Sequence, residues 1–146
     1  MGKLNVLFVC VDNAARSQMA EAFLRAHASD SHEAFSAGLR PASQLDPLAV
    51  AVMQERGLDL SGHRAKRWQE LRDGRRFDYL ITVCRRAERQ CPTFAGMGKH
   101  LAWPFEDPAA FKGSAEERLA RYRQLRDAIE AFVRVWLRSS QTGTQS

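Results

Sequence analysis

Apolar residues change rhythm several times along this chain. Leu4-Asn5-Val6-Leu7-Phe8-Val9 is a short, β-branched apolar run, the pattern of a buried strand, and polar turn-prone residues follow it. From Ser17 to Leu24, Met19, Phe23 and Leu24 fall at helical spacing. Glu33 to Ser36 predicts a second strand, ended by Ala37-Gly38. The next helix is punctuated at both ends: Asp46 can cap it, Pro47 suits its first position, and Gly57 suits the residue past its end. Phe77 to Val83 predicts a third strand that stops at Cys84, and a Pro- and Gly-containing loop runs from Cys91 to Gly98. His100 to Trp103 predicts a fourth strand, terminated by Pro104. The last helix begins at Ser114, where Glu117 completes a capping box; Leu119, Tyr122, Leu125, Ile129, Phe132, Val133 and Trp136 then line one face. Strands alternating with helices predict an α/β protein, a single domain over 1–138 with a four-stranded parallel open sheet covered by helices on both faces. Residues 139–146 hold no apolar side chain and read as a flexible polar tail.

Composition narrows the class. A chain of 146 residues, 45% apolar, has enough material for one packed domain, which argues against wholesale disorder. No stretch approaches the roughly 18 apolar residues of a membrane span. The opening Met-Gly-Lys-Leu-Asn-Val breaks too early to be a signal peptide, and Val6 stands where myristoylation of Gly2 would want Ser or Thr. A soluble, cytoplasmic protein is expected. The net charge of +5 is concentrated between Arg64 and Arg89, where nine basic residues face four acidic ones. Such a face suits nucleic acid, an acidic partner or an anionic substrate, but no zinc finger or RNA-binding aromatic motif accompanies it, so nucleic acid is not expected. Three cysteines, Cys10, Cys84 and Cys91, are neither the framework of a secreted disulfide protein nor a Cys-x-x-Cys metal pair. Each is by default a small buried apolar residue, and position alone can raise it above that.

Position does so for Cys10. Open parallel sheets bind ligands beyond the carboxyl ends of their strands, and there this chain reads Cys10-Val11-Asp12-Asn13-Ala14-Ala15-Arg16-Ser17. A strand, a short turn and a helix start converge backbone N–H groups and the positive end of a helix dipole on one point, which suits an oxyanion. Arg16 adds a planar fork for tetrahedral oxyanions. The same field is expected to lower the pKa of Cys10 and make its thiolate a nucleophile near neutral pH, with Ser17 donating to the sulfur. Asn13 is a residue type that tolerates the left-handed backbone of a tight anion-wrapping loop.

Residues 6 to 21, Val-Leu-Phe-Val-Cys-Val-Asp-Asn-Ala-Ala-Arg-Ser-Gln-Met-Ala-Glu, resemble the phosphate loop of the low-molecular-weight tyrosine phosphatase superfamily. The Arg-Ser-Gln-Met-Ala-Glu version is similar to its arsenate reductase branch, and the likeness in element order runs from the first strand to about Trp136. The resemblance implies oxyanion binding by Val11, Asp12, Asn13, Ala14, Ala15, Arg16 and Ser17. It also implies loop support from Asn13, Ser17 and Ser36, because Ser36-Ala37-Gly38 resembles the segment that buttresses the loop through Asn13 in that family. Leu60-Ser61-Gly62-His63 resembles the family's usual next stretch.

Reducing an oxyanion by two electrons oxidises two thiols, so a reductase needs more sulfur than a phosphatase does. Cys84 ends the third strand and is expected on the same sheet edge as Cys10, with Cys91 seven residues later. Their spacer resembles that of thioredoxin-coupled arsenate reductases, and its Arg85, Arg86 and Arg89 favour thiolates. Asp107-Pro108 is a natural turn beyond a strand, while the resemblance implies that Asp107 protonates the leaving oxygen. Glu106 competes for that role without the family position, and His63 and His100 read as structural or surface residues. The family chemistry implied is attack of Cys10 on arsenate, a Cys10–Cys84 disulfide that releases arsenite, and transfer to Cys84–Cys91. It needs no bound cofactor and no metal, only an external thiol reductant: thioredoxin, or glutaredoxin with glutathione. Phosphate and sulfate would compete with arsenate. Two departures stand out. Val11-Asp12 replaces a frequent Thr-Gly, and Arg64-Ala65-Lys66-Arg67-Trp68 lacks the Thr and acidic residues that help bind potassium in some members and looks more like glutathione-using ones. The alternatives are a low-molecular-weight protein tyrosine phosphatase, disfavoured because the last helix offers only Tyr122, and a non-catalytic arsenite-binding or redox-sensing protein.

Overall fold

The computed structural model describes residues 2–71, 76–84 and 98–143. Strand β1 (Leu4–Cys10) leads to α1 (Arg16–Ala28), β2 (His32–Gly38) and α2 (Pro47–Gln54). A 3-10 turn at Trp68–Leu71, β3 (Tyr79–Thr82), β4 (Lys99–Ala102), a second 3-10 turn at Pro108–Ala110 and α3 (Ala115–Gly143) complete the described chain. The four strands are parallel throughout, in the order β2-β1-β3-β4. This is the four-stranded parallel α/β architecture expected from the alternation of patterns. Val6 to Cys10 are buried at every position, so both faces of β1 are covered, as a central parallel strand requires.

Helix α1 packs on β1 and β2, and α3 packs on α1 and α2. Aromatic rings carry α3 to the sheet: Trp136 meets Tyr79 and Trp103 edge-on, and Trp103 in turn lies against Phe8. The punctuation seen in the sequence is built as drawn. Asp46 Oδ1 accepts the Leu48 N–H at 3.0 Å, Gly57 takes a φ of 75°, and Ser114 and Glu117 satisfy each other's backbone N–H groups at 3.1 and 3.0 Å.

Element ends differ by a few residues from the expected ones. β2 runs from His32 to Gly38 because every residue of it pairs with β1, whereas β3 and β4 pair over only four residues each. Helix α3 continues through Gly143, so Ser139 to Gly143, expected in the polar tail, are helical. Each added residue of a running helix costs no new nucleation, and this stretch contains no proline. Phe132, on the apolar stripe, remains 44% exposed while its ring packs on Trp103 and Phe105. Among the described residues, no helix is long and apolar enough to cross a membrane.

The topology selects the functional edge. From β1 the chain goes to β2 on one side, then crosses to β3 on the other, so the crevice at the carboxyl ends of β1 and β3 is the switch point where such sheets bind ligands. Val9 pairs with Thr82, and the Val83 N–H donates to the Val9 carbonyl at 3.0 Å. Cys10 and Cys84 therefore leave the sheet side by side.

Candidate active site

The turn from Cys10 to Ser17 is shaped by the segment after β2. The N–H groups of Leu39, Arg40, Ala42 and Asp46 donate to the carbonyls of Cys10, Val11, Asp12 and Ala14 at 3.2, 2.7, 2.9 and 3.0 Å. In a trans peptide the N–H points opposite to the carbonyl that precedes it. Turning these carbonyls toward residues 39–46 therefore turns the N–H groups of Val11, Asp12, Asn13 and Ala15 the other way, into a bowl of donors. Helix α1 starts at the rim of this bowl, and Ala15 at its N-cap offers no side-chain acceptor to its first N–H groups. The sequence pointed to these eight residues, and the fold does make of them one strand-to-helix turn.

Asn13 holds the turn in shape. It is the one non-glycine residue with positive φ, 52°, among those described, and it is fully buried. Its Nδ2 donates to Ser17 Oγ at 2.7 Å; its Oδ1 accepts from the Lys66 N–H at 2.8 Å and from Gln18 Nε2 at 3.0 Å. Gln18 also donates to the Arg64 carbonyl and contacts His63 Nδ1, so the loop is tied to residues 63–66. Asn13 and Ser17 thus support the loop. The Ser17 hydroxyl is engaged by Asn13, and the hydrogen bonds of the Cys10 sulfur run to Cys84 and Asp12. Ser36 departs from expectation: its hydroxyl donates to Glu21 on α1, away from Asn13. The buttress at this end of β2 is Gly38, where a Cβ would meet the Val11 carbonyl at 2.9 Å and Asn13 Cβ at 3.0 Å. Gly38 lies in the Ser36-Ala37-Gly38 segment expected to buttress the loop, whereas Gln18, His63 and Lys66 were not anticipated as supports; only the adjacency of Gln18 to Arg16-Ser17 hinted at one of them.

Two sulfurs meet at the centre. Cys10 Sγ lies 3.4 Å from Cys84 Sγ, both residues buried, and 3.8 Å from Asp12 Oδ1. The acidity expected of Cys10 is reversed by this company. Its hydrogen bond to the Cys84 thiol, followed by burial, holds the Cys10 pKa well above the ordinary thiol value; the Arg16 guanidinium opposes them and loses. The sequence placed Cys84 on the same sheet edge and Asp12 in the loop, but only the fold shows that both contact the Cys10 sulfur and so outweigh its positive neighbours.

Arg16 is buried, with Nη1 donating to the Phe105 carbonyl at 3.1 Å, Nη2 3.8 Å from Asp107 Oδ1, and Nε without a partner among the described residues. A buried guanidinium N–H left over in a bowl of amide donors is a further donor for an anion. The cavity, about 400 Å³, lies between Val11, Asp12, Arg16 and Cys84 on one side and residues 104–107 on the other. Asp107 stands at its mouth, half-exposed, accepting the Ala109 N–H at 3.0 Å as the cap of the 108–110 turn. Glu106 pairs outward with Arg121 at 3.3 Å. Cys91, Arg85, Arg86 and Arg89 lie outside the described residues. No group of three His, Cys, Asp or Glu side chains suited to a metal occurs among those described.

Known proteins resemble this chain in sequence and in fold. Residues 5–145 match the sequence family described as low molecular weight phosphotyrosine protein phosphatase. An arsenate reductase of Shouchella clausii is 36% identical over 135 residues, which cover 92% of this chain and 95% of that one. The structure of a thioredoxin-dependent arsenate reductase of Corynebacterium glutamicum is 31% identical with a TM-score of 0.73; the match covers 97% of this chain and 63% of that longer one. An arsenate reductase solved in the phosphate binding state is 26% identical with a TM-score of 0.72, covering 93% of this chain and 98% of that one. With a matching profile along nearly its whole length and a bowl of backbone donors at the switch point of its sheet, the chain belongs to the low molecular weight phosphotyrosine protein phosphatase family.

Proposed function

We propose that this protein is an arsenate reductase that works by passing a disulfide through three cysteines. The observation that carries the reading is the 3.4 Å contact between the Cys10 and Cys84 sulfurs at the floor of an oxyanion bowl. A phosphatase needs one thiol there, whereas a two-electron reduction needs a second within reach of the first. Arsenate is held by the loop N–H groups of residues 11–17 and by Arg16. The Cys10 sulfur bonds to arsenic, and one arsenate oxygen leaves as water with a proton from Asp107, which regains one from the displaced thiol proton. The Cys84 sulfur then attacks Cys10. The sulfur–arsenic bond breaks, its electron pair stays on arsenic, arsenite departs, and the two thiols are oxidised to a Cys10–Cys84 disulfide. The Cys91 thiol attacks Cys84, restores the Cys10 thiol and leaves a Cys84–Cys91 disulfide for an external dithiol. Thioredoxin is that reductant, the partner named for the Corynebacterium glutamicum relative. The cycle needs a reducing compartment, which places the protein in the cytoplasm.

A single turnover with arsenate, followed by alkylation and intact-mass measurement, tests the scheme. One alkylatable thiol of the three, with the disulfide mapped to Cys84 and Cys91, is the expected result. Three free thiols with arsenate unreduced would sink it. Asp107 beside Arg16 also suits phosphate ester hydrolysis. That activity, if dominant, survives Cys84→Ser and Cys91→Ser, whereas arsenate turnover is lost in both. Reduction by glutathione with glutaredoxin, and not by thioredoxin, would replace the partner and leave the chemistry intact.

A further inference from the structure

Inside a bowl built for anions, this chain keeps a carboxylate. Asp12 Oδ1 lies 3.8 Å from Cys10 Sγ and 3.4 Å from the Ala14 nitrogen, and Asp12 lines the same cavity as Arg16 and Cys84. Its side chain therefore turns toward the sulfur and not outward, where it would be harmless to an anion. An ionised carboxylate can only accept hydrogen bonds. Beside a fully deprotonated oxyanion it finds no donor and meets like charge; beside an oxyanion that keeps a hydroxyl, it finds a donor at bonding distance. Tetrahedral oxyanions divide on this point near neutral pH, since arsenate and phosphate retain at least one hydroxyl and sulfate retains none.

We propose that Asp12 is a selectivity residue of the oxyanion loop. Its carboxylate accepts the hydroxyl hydrogen of a protonated tetrahedral oxyanion while the loop N–H groups and Arg16 hold the remaining oxygens. The site then takes arsenate and phosphate and turns sulfate away, contrary to the expectation from resemblance that sulfate competes. This deepens the reading of residues 10–17 as the oxyanion site and rests on it.

Calorimetric titration of the full-length reduced protein near pH 7, at constant ionic strength, with inorganic phosphate and with sulfate as probes, tests the idea. Wild type binds phosphate at least about tenfold more tightly than sulfate, in line with sites that reject a ligand lacking an expected hydrogen. In Asp12→Asn, whose amide can donate, the preference falls to about threefold or less through gained sulfate binding. Asp12→Gly, which deletes the carboxylate, moves the ratio the same way and serves if the amide variant misfolds. Equal binding of both anions by wild type, or an unchanged ratio in the folded variants, overturns the role of Asp12 and leaves the oxyanion loop standing. Binding of neither anion by wild type overturns the loop reading itself, and the proposal with it.

Discussion

The two walls of the cavity are built on opposite plans. The floor, residues 10–17, is buried except at the half-buried Val11 and Asp12 and is braced from several directions: four of its carbonyls accept N–H groups from residues 39–46, and Asn13 is held through Ser17, Gln18 and Lys66. The facing wall, residues 104–107, has one hydrogen bond to the floor, from Arg16 to the Phe105 carbonyl, and carries its two carboxylates at the surface. A rigid floor fixes donors where oxyanion charge sits, which is what preorganised electrostatic stabilisation demands. The opposing wall needs only to present an acid that can exchange protons with water. Substitutions should therefore separate catalysis from stability according to the wall they touch.

The largest effect is expected at the exposed wall. Asp107→Asn keeps a side chain able to cap the 108–110 turn, so stability should change by less than about 1 kcal/mol. Arsenate turnover should fall about 100- to 10,000-fold, the usual worth of a general acid. Steady-state rates beside chemical denaturation measure both; a small rate loss would break the contrast by moving the acid elsewhere. On the floor, Asn13→Ala leaves the Lys66 N–H without its acceptor, removes the donor to Ser17 Oγ and puts alanine at positive φ. A loss of about 2–4 kcal/mol in unfolding free energy is expected. Denaturation in urea would detect it, and a change under about 1 kcal/mol would show the floor to be less braced than its contacts imply.

The smallest and most diagnostic change concerns acidity. The Cys84 thiol is the first cause of the raised Cys10 pKa, so Cys84→Ala leaves only burial and the Asp12 carboxylate opposed by Arg16, and the thiolate forms at lower pH than in wild type. Thiolate is the alkylated form, so the midpoint of Cys10-specific alkylation should move down the pH scale. At fixed neutral pH, Cys10 should react faster than in wild type. A midpoint that stays put or rises would mean that Cys84 does not hold the proton on Cys10.

Local chemistry was the readable part. The apolar run of β1, the cap–proline start of α2 and the Ser114–Glu117 box each rest on residues a few positions apart, and each stands in the structure as its residues dictate. The loop from Cys10 to Ser17 was legible for the same reason, down to the left-handed Asn13. Its braces were legible only in part. Gly38 meets Asn13 from the segment the resemblance pointed to, but Lys66 reaches Asn13 across the fold unannounced, and Ser36, placed beside the loop by resemblance, instead bonds Glu21.

The order of strands and helices, the anion-seeking turn and the roster of three thiols follow from side-chain pattern alone, because they depend on neighbours in the chain. Which sulfur faces which, where the Asp12 carboxylate points, and whether Cys10 gains or loses acidity are matters of distance between β1, β3 and the loop. Proton affinity responds to burial and to every dipole within a few ångströms, whatever its place in the chain. Only the parallel pairing of β1 with β3 brings a second thiol to Cys10, and that pairing reverses the acidity the turn by itself would confer.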